Sequence, residues 1–236
     1  MKLDVLVFAA HPDDAELACS GTILSLISEG KKVGIIDLTE GELGSRGTPE
    51  LRLKEAEVSR KILGVQVREN LNIGDGFFDI DRPTILKLVT VIRKYCPDVI
   101  LANATDDRHP DHGRAGELAK RAHFLSGLLK IETNLGGIPQ VYWRAKSLFH
   151  YIQDKYIQPD FVIDITDYID GKLKSIEAFS SQFKAEDGVQ TYISSPEFWS
   201  FIKGRAEEMG HSAGFKYGEG FIKAQQLGFD KFSKLL

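Results

Sequence analysis

Cysteine is scarce in this sequence, which has only Cys19 and Cys96 among its 236 residues. Two cysteines cannot build a disulfide scaffold, and neither of them belongs to a CxxC pair. We therefore expect both to be reduced thiols that pack in the core.

Long apolar runs and an excess of basic residues are also missing. No run approaches the roughly 18 apolar residues that a membrane span needs, and the N-terminus lacks the apolar region and cleavage site of a signal peptide. Lys and Arg number 30 against 34 Asp and Glu, for a formal net charge of −4, which is not the basic footprint of a nucleic-acid-binding protein. These absences predict a soluble, cytoplasmic protein whose partner is neither a membrane nor a nucleic acid.

The composition that is present is that of an ordinary globular chain, with 42% apolar and 27% charged residues. A chain of this length can bury a sizeable core without disulfides. We find no low-complexity segment, no internal repeat and no Pro/Ser-rich linker. The sequence therefore predicts a single domain over residues 1–236.

Short β-rich runs alternate with helical patterns in the first half of the chain. The predicted strands are Val5–Ala10, Val33–Leu38, Asn70–Ile73 and Asp98–Ala102. The predicted helices cover residues 15–29, a segment that begins at Thr48-Pro49-Glu50, and a segment that ends before Pro97. Such alternation predicts an α/β fold, Rossmann-like, with a mostly parallel sheet and helices on both faces.

The second half is less regular. The patterns predict a helix from His112 to about Leu125, strands Ser147–Ile152 and Phe161–Ile165, a helix after Asp167, and a last helix from Ser195 toward Met209. Four glycines then follow in a short segment, Gly210, Gly214, Gly218 and Gly220, and predict a loop.

Two similar tetrapeptides stand out, His11-Pro12-Asp13-Asp14 and His109-Pro110-Asp111-His112. Random order would produce two His-Pro-Asp tripeptides in such a chain roughly once in 10,000 sequences. Each one follows a predicted apolar strand, and ligand sites of parallel sheets lie at the carboxyl ends of strands near the topological switch point. We therefore expect both tetrapeptides to line one crevice.

Histidine and aspartate in this pattern suit a metal ion. Two histidines and one carboxylate, with an open position for water, form a catalytic zinc set, and iron(II), manganese or cobalt accept the same ligands. Spacing alone leaves open which of the neighbouring aspartates is a ligand. The alternative, in which the aspartates only cap helices and the histidines are structural, explains one such motif better than two at two strand ends.

The two motifs resemble those of the zinc-dependent LmbE-like, or PIG-L, deacetylases, which remove acetyl groups from N-acetylglucosamine derivatives. The resemblance extends over most of the chain through residues 37–48, Arg52, Gly74-Asp75-Gly76 and Glu219–Ile222. It is strongest to the branch of bacillithiol biosynthesis that deacetylates N-acetylglucosaminyl malate. A small-molecule sugar conjugate is then the expected substrate, and assembly into homo-oligomers, often hexamers, is implied as well.

The resemblance implies a role for each matching position. The metal ligands would be His11, Asp14 and His112, with one zinc ion per chain. Asp13 matches the general base, which takes a proton from the attacking water and passes it to the leaving amine. His109 matches the residue that stabilises the developing oxyanion, and Asp111 would orient either His109 or a ligand histidine.

Four further positions are expected to contribute. Arg52 and Arg108 could bind sugar hydroxyls or malate carboxylates, because an Arg fork suits a carboxylate. Asp75, between two glycines, could accept hydrogen bonds from sugar hydroxyls. Tyr192 resembles a tyrosine that helps to hold the oxyanion in this branch.

Other functions stay open at this point. The substrate could be a different N-acetylglucosaminide, or the chain could cleave bacillithiol conjugates as an amidase. A nucleotide-binding α/β protein is disfavoured because His-Pro-Asp-Asp stands where the glycine fingerprint would follow the first strand. A non-catalytic metal-binding module is disfavoured because a closed zinc site wants four protein ligands, usually with cysteine among them.

Overall fold

The computed structural model describes residues 1–184, 191–228 and 231, and its strands and helices alternate along the chain. The strands are β1 (Val5–Ala9), β2 (Val33–Asp37), β3 (Val67–Asn70), β4 (Val99–Ala102), β5 (Asn134–Leu135), β6 (Ile138–Pro139), β7 (Ser147–Tyr151), β8 (Phe161–Asp164) and β9 (Gly218–Lys223). The helices are α1 (Asp14–Ser28), α2 (Pro49–Leu63), α3 (Arg82–Tyr95), α4 (Pro110–Ser126), α5 (Ile169–Glu177), α6 (Ser180–Phe183) and α7 (Pro196–Ser212).

Seven of these strands form one sheet in the order β3-β2-β1-β4-β7-β9-β8, and β5 pairs with β6 in a separate hairpin. The first five strands of that order run parallel, and β9 lies antiparallel to both β7 and β8. Helices α1, α2 and α5 contact one another, as do α3 and α4. Two large apolar clusters pack against the sheet, one including α1 and the other including α3 and α4. The predicted α/β fold with a mostly parallel sheet is confirmed.

The strand order reverses between β1 and β4. Connections from β1 lead through α1 to β2 and then β3 on one side, whereas β4 is followed by β7 on the other side. Val5 pairs in register with Val99, so the carboxyl ends of β1 and β4 lie side by side. This is the switch point at which ligand sites of open α/β sheets form.

The N-termini of several helices are stabilised by the residues that the sequence pattern indicated. Thr48 accepts a hydrogen bond from the N–H of Leu51 at 3.3 Å, and Pro49 occupies the first helical position of α2. Helix α4 begins with the same geometry, with His109 at the capping position and Pro110 after it. The second His-Pro-Asp motif is therefore held at a helix start.

Two predictions about strands were wrong. Strand β3 covers Val67–Asn70, not Asn70–Ile73, because Leu71 and Ile73 pack against the core from a loop. The glycine-rich segment is not all loop, because β9 begins at Gly218 and is an inner strand of the sheet. A Cβ at Gly218 would lie 2.5 Å from the Val162 side chain, so this glycine serves close packing.

Both cysteines are free thiols, as expected. Cys19 is buried in α1, as predicted. Cys96 follows the end of α3 and is only partly buried, so its predicted place in the core is wrong. Across the described ranges 1–184, 191–228 and 231, no helix has the length and apolar character to cross a membrane.

Candidate metal and catalytic site

A pocket of about 400 Å³ opens at the carboxyl ends of β1 and β4. Of the ten predicted site residues it is lined by nine: His11, Asp13, Asp14, Arg52, Asp75, Arg108, His109, His112 and Tyr192. The tenth, Asp111, is fully buried behind the pocket, where its carboxylate lies 3.5 Å from Nε2 of His11. The fold thus brings the two tetrapeptides together.

Asp14 lies between the two histidines that were predicted as metal ligands with it. Its Oδ1 is 3.2 Å from Nε2 of His112, and its Oδ2 is 3.6 Å from Nδ1 of His11. All three side chains are buried. One carboxylate and two imidazoles therefore converge from β1, α1 and α4, which is the donor set that a catalytic zinc ion takes.

The outer nitrogen of each of these rings is held by a further carboxylate. Nε2 of His11 is 2.9 Å from Oδ1 of Asp75, and Nδ1 of His112 is 2.7 Å from Oδ2 of Asp107. Metal-ligating histidines have this arrangement, because a carboxylate on one nitrogen fixes the tautomer and turns the other nitrogen toward the metal. The residues present thus fit a metal ion bound by Nδ1 of His11, Nε2 of His112 and Asp14.

The pKa values of His112 and Asp75 also reflect the close contacts between imidazoles and carboxylates in this cluster. Burial alone would lower the pKa of His112, but the Asp14 charge and hydrogen bonds to Asp107 and Asp14 raise it to about 9. Burial likewise opposes ionisation of Asp75, but its bond with His11 and the N–H of Leu43 lower its pKa to about 2. In both cases a carboxylate and an imidazole stabilise each other's charged form.

Two other groups of side chains could also hold a metal ion. One nitrogen of His109 lies within 4.8 Å of a nitrogen of His11 and one of His112, and His11, Asp75 and Asp111 form a second such group. The carboxylates of the second group already accept hydrogen bonds from the backbone N–H of Leu43 and of Gly76. The site thus offers more possible metal ligands than one ion needs, and substitution of individual residues is required to identify the ligands.

Asp13 is buried beside the metal donors in an unusual backbone conformation. Its φ of 126° is rare for a residue with a side chain, and such strained positions cluster at active sites. Nη2 of Arg52 donates to Oδ2 of Asp13 at 2.8 Å and to the carbonyl of Pro12 at 2.6 Å. Burial raises the pKa of Asp13 to about 7, against the opposing charge of Arg52, which is suitable for a group that exchanges protons near neutral pH.

His109 is half-buried on the opposite tetrapeptide, and its ring centroid lies 4.7 Å from that of His11. Its Nδ1 accepts a hydrogen bond from the backbone N–H of Asp111 at 3.3 Å. Burial and the charges of His11 and His112 hold the pKa of His109 below its ordinary value. In the neutral ring the proton then sits on Nε2, which makes that atom a hydrogen-bond donor.

The comparisons with known proteins agree with this geometry. The sequence profile of the PIG-L family, described as GlcNAc-PI de-N-acetylase, matches residues 6–123. The diacetylchitobiose deacetylase of Thermococcus kodakarensis is 30% identical over 229 residues, which are 92% of this chain and 81% of that protein. The chain belongs to the PIG-L, or LmbE-like, family.

Solved structures share the whole fold with this PIG-L protein. A conserved protein of Thermus thermophilus superposes with a TM-score of 0.85 at 35% identity, covering 98% of each chain. The N,N'-diacetylchitobiose deacetylase of Pyrococcus horikoshii, solved with an inhibitor, has a TM-score of 0.82 at 29% identity and covers 98% of this chain and 88% of its own.

Two more distant relatives carry different activities. A probable N-acetyl-alpha-D-glucosaminyl L-malate deacetylase 2 of Bacillus anthracis is 25% identical over 84% of this chain and 94% of its own. The 4-oxalmesaconate hydratase of Pseudomonas putida is 27% identical over 75% of this chain and 73% of its own. The scaffold therefore supports more than one reaction, and the site must decide which one.

The arginines of the PIG-L pocket are engaged with groups of the chain itself. Arg52 binds Asp13, as described, and Nε of Arg108 donates to Oδ2 of Asp154 at 2.6 Å. Arg46, which was not predicted as a site residue, donates to the carbonyls of Ser181 and Lys184. Roles of Arg52 and Arg108 in binding substrate stay predictions.

Two predicted residues take particular positions in this pocket. Asp75 contacts the ring of His11, so its place suits holding a ligand histidine more than accepting from a sugar. Tyr192 lies at the rim, 54% exposed, with its ring edge against Phe198. For Asp111 two roles were left open, orienting His109 or orienting a ligand histidine. Its carboxylate approaches His11, which was predicted as a ligand.

Three residues that contact the predicted metal ligands were not predicted from the sequence. Asp107 binds His112, Nδ2 of Asn103 donates to Asp14 at 2.9 Å, and Nε2 of Gln153 donates to Asp14 at 2.7 Å. Sequence position could have indicated two of them as site residues, because Asn103 directly follows β4 and Asp107 precedes the second motif in the same loop. Gln153 follows β7, and nothing in its local sequence marks it.

Proposed function

We propose that this protein is a zinc-dependent N-deacetylase that hydrolyses the acetamide of an N-acetylglucosamine conjugate. One observation carries the proposal: Asp14, His11 and His112 converge on one side of a pocket that the buried Asp13 and the half-buried His109 also line. The deacetylase activity of several relatives supports the same reaction.

The residues divide the work of hydrolysis among them. His11, Asp14 and His112 would hold the zinc ion, which when bound supplies a Lewis acid that polarises the amide carbonyl and lowers the pKa of water. Asp13 accepts the proton of the attacking water and delivers it to the nitrogen of the amine as the carbon–nitrogen bond breaks. The products are acetate and the free amine.

The oxygen of the acetamide gains negative charge as water adds to its carbon. Nε2–H of His109 donates a hydrogen bond to that oxygen, because Nδ1 is already occupied by the N–H of Asp111. Arg52 keeps the carboxylate of Asp13 oriented through its 2.8 Å contact. The proposed roles of Asp13 and His109 thus differ, since one moves a proton and the other stabilises charge.

The finer substrate assignment is N-acetylglucosaminyl malate, which rests on the sequence resemblance and on a relative of that activity. A second candidate is a neutral N-acetylglucosamine disaccharide such as diacetylchitobiose, the substrate named for the relative from Thermococcus kodakarensis. One observation favours it: the pocket arginines Arg46, Arg52 and Arg108 already contact acceptors of this chain. A dicarboxylate would have to compete with those acceptors.

Amine release from N-acetylglucosaminyl malate, diacetylchitobiose and N-acetylglucosamine tests the proposal directly. Each substrate is assayed with the protein as isolated, after chelation, and after return of zinc. We expect release that disappears on chelation and returns with zinc, and the preferred compound identifies the aglycone. A zinc-loaded, folded protein that releases no amine from any of the three would contradict the deacetylase proposal.

A further inference from the structure

Helix α1, which carries Asp14 in its first turn, is broken at Cys19. The φ of −139° and ψ of 16° at this residue are not helical, so the helix consists of a short first half and a longer second half. A break of this kind leaves carbonyl groups of the first half and N–H groups of the second half without helical partners. In a buried helix such groups need other partners.

The carboxylate of Glu219, from β9, occupies the break on the side of the second half. Its Oε1 accepts from the N–H of Gly21 at 2.9 Å, and its Oε2 accepts from the N–H and the hydroxyl of Thr22, both at 2.7 Å. A negative charge at a helix N-terminus is favourable. Glu219 therefore caps the second half of α1 from a strand about 200 residues away in the chain.

The ammonium of Lys172, from α5, occupies the other side of the same break. Nζ donates to the carbonyl of Leu17 at 2.8 Å and to that of Glu16 at 3.2 Å, which are the carbonyls at the end of the first half. It also pairs with Oε1 of Glu219 at 2.7 Å, and the two side chains are only 4% and 3% exposed. A buried ion pair costs much desolvation energy, and an unbroken helix would need neither charge.

We propose that the Lys172–Glu219 pair positions the catalytic and metal-binding carboxylates by fixing the break in α1. The first half is only about one turn long, and a helix this short is not stable in a fixed orientation by itself. It nevertheless bears Asp14 and is preceded by Asp13. Neither Lys172 nor Glu219 lines the pocket, so both are positioning residues. The proposal rests on the roles given to Asp13 and Asp14 in the proposed function.

A double variant, K172M/E219Q, removes both charges at once and so leaves no lone buried charge. The probe is Co²⁺ in place of zinc, since its visible absorption band reports the geometry of the donors. We expect a folded protein with an altered Co²⁺ band and an affinity for Co²⁺ and Zn²⁺ lowered about 10-fold or more, the range seen when residues that hold metal ligands are removed. Turnover should fall by a similar factor while KM stays nearly constant, since substrate contacts are retained.

Two controls separate positioning from a general loss of stability. The variant I23V removes one methylene from the buried second half of α1 without touching the break. The variant K94M/E69Q neutralises a different Lys–Glu pair between α3 and β3, 2.6 Å apart and about one-third exposed, and so controls for the loss of one positive and one negative charge away from α1. Both controls should keep the wild-type Co²⁺ band, metal affinity and kcat.

The proposal is overturned if K172M/E219Q keeps the wild-type band, affinity and kcat, or if I23V loses as much of them. Should the double variant not fold, E219D is tested in its place. Its shorter side chain keeps the negative charge near Lys172 but reaches the N–H groups of Gly21 and Thr22 less well, so the same changes in the Co²⁺ band, metal affinity and kcat are expected. The band and the metal affinity need no substrate. A wild-type protein that binds Co²⁺ but deacetylates nothing would therefore contradict the proposed function and leave this inference to be decided by the band.

Discussion

The central feature at the scale of single residues is that carboxylates contact both ring nitrogens of each imidazole that we propose as a metal ligand. His11 lies between Asp14 and Asp75, and His112 lies between Asp14 and Asp107. In the proposed site Asp14 faces the metal ion, while Asp75 and Asp107 fix the orientation of the two rings. The spacing of the motifs could indicate the histidines but could not decide which aspartate faces them, since that depends on side-chain direction in the fold.

Asp13 offers a sharp test of the proposed general base. The variant D13N keeps the shape of the side chain, so the steric demands at the unusual φ of 126° are the same as for aspartate. It cannot accept a proton, so we expect full zinc content and a fall in kcat of about 100-fold or more. Metal analysis and steady-state kinetics on the same preparation check this, and wild-type kcat in D13N would remove Asp13 from the mechanism.

Alanine variants of the two histidines in the second motif decide between the candidate donor sets. If His11, Asp14 and His112 bind the metal, H112A should lose zinc and activity together. H109A should then keep stoichiometric zinc but lose about 100-fold or more in kcat, since it removes only a donor to the oxyanion. Zinc content is measured after dialysis. Loss of zinc from both variants would favour the alternative group of His11, His109 and His112, whereas retention of zinc in both would favour the group of His11, Asp75 and Asp111.

At the scale of elements, the apolar parallel strands and the capped helices were predictable from local pattern. Strand β3 was misplaced because its charged Arg68 is buried against Asp37, with Nε 2.8 Å from Oδ2, and so it lacks the apolar signature. Strand β9 was missed because glycine usually marks loops, whereas here Gly220 lets α7 approach, with a Cβ there only 2.9 Å from the Met209 sulfur. Partners distant in the chain determine both elements, and local patterns do not report them.

Gly116 in α4 packs closely against the loop that follows β4, which predicts the effect of a larger residue there. A Cβ at Gly116 would lie 2.7 Å from the carbonyl oxygen of Asn103 and 3.1 Å from that of Ala104, so backbone would have to move. We expect G116A to lower the free energy of unfolding by about 1–3 kcal/mol, the usual cost of overpacking. Because α4 carries the second motif and Asn103 binds Asp14, metal affinity should fall as well.

The matched control for G116A is G204A in α7, where a Cβ would meet no atom within 4 Å. Alanine is the better helix former, so this variant should raise the free energy of unfolding by about 0.4–1 kcal/mol. Urea unfolding of both variants and the wild type measures the two changes. Equal and favourable effects at both positions would contradict the close approach of α4 to the loop after β4.

At the scale of the whole molecule, the site exists because topology brings two distant motifs together. His11 follows β1 and His109 follows a loop after β4, and these strands are neighbours only because the sheet reverses between them. The repeat of the motif made a shared crevice predictable. The contribution of Gln153 was not, because it depends on β7 being the next strand along the sheet, a pairing that local sequence does not encode.

The stability of the whole molecule should also depend on pH through a histidine far from the pocket. His123 of α4 is buried, and its Nε2 lies 2.8 Å from the carbonyl oxygen of Ala145. Burial, with a smaller effect of Arg144, holds its pKa below the ordinary value of 6.5. As the pH falls through 6.5, the unfolded chain takes up a proton that the folded chain resists, so the free energy of unfolding decreases, by at most about 1.4 kcal/mol per pH unit for one proton.

The variant H123Q isolates this effect, because glutamine can still donate to Ala145 but carries no titrating group. We expect wild type and H123Q to differ little in urea midpoint at pH 8, where His123 is neutral in both the folded and the unfolded chain. At pH 5.5 the variant should unfold at the higher urea concentration, because only the wild type gains a proton on unfolding at this position. The groups of the metal site titrate equally in both proteins and cancel in the comparison. A difference in midpoint that is the same at both pH values would show that His123 is not held neutral by burial.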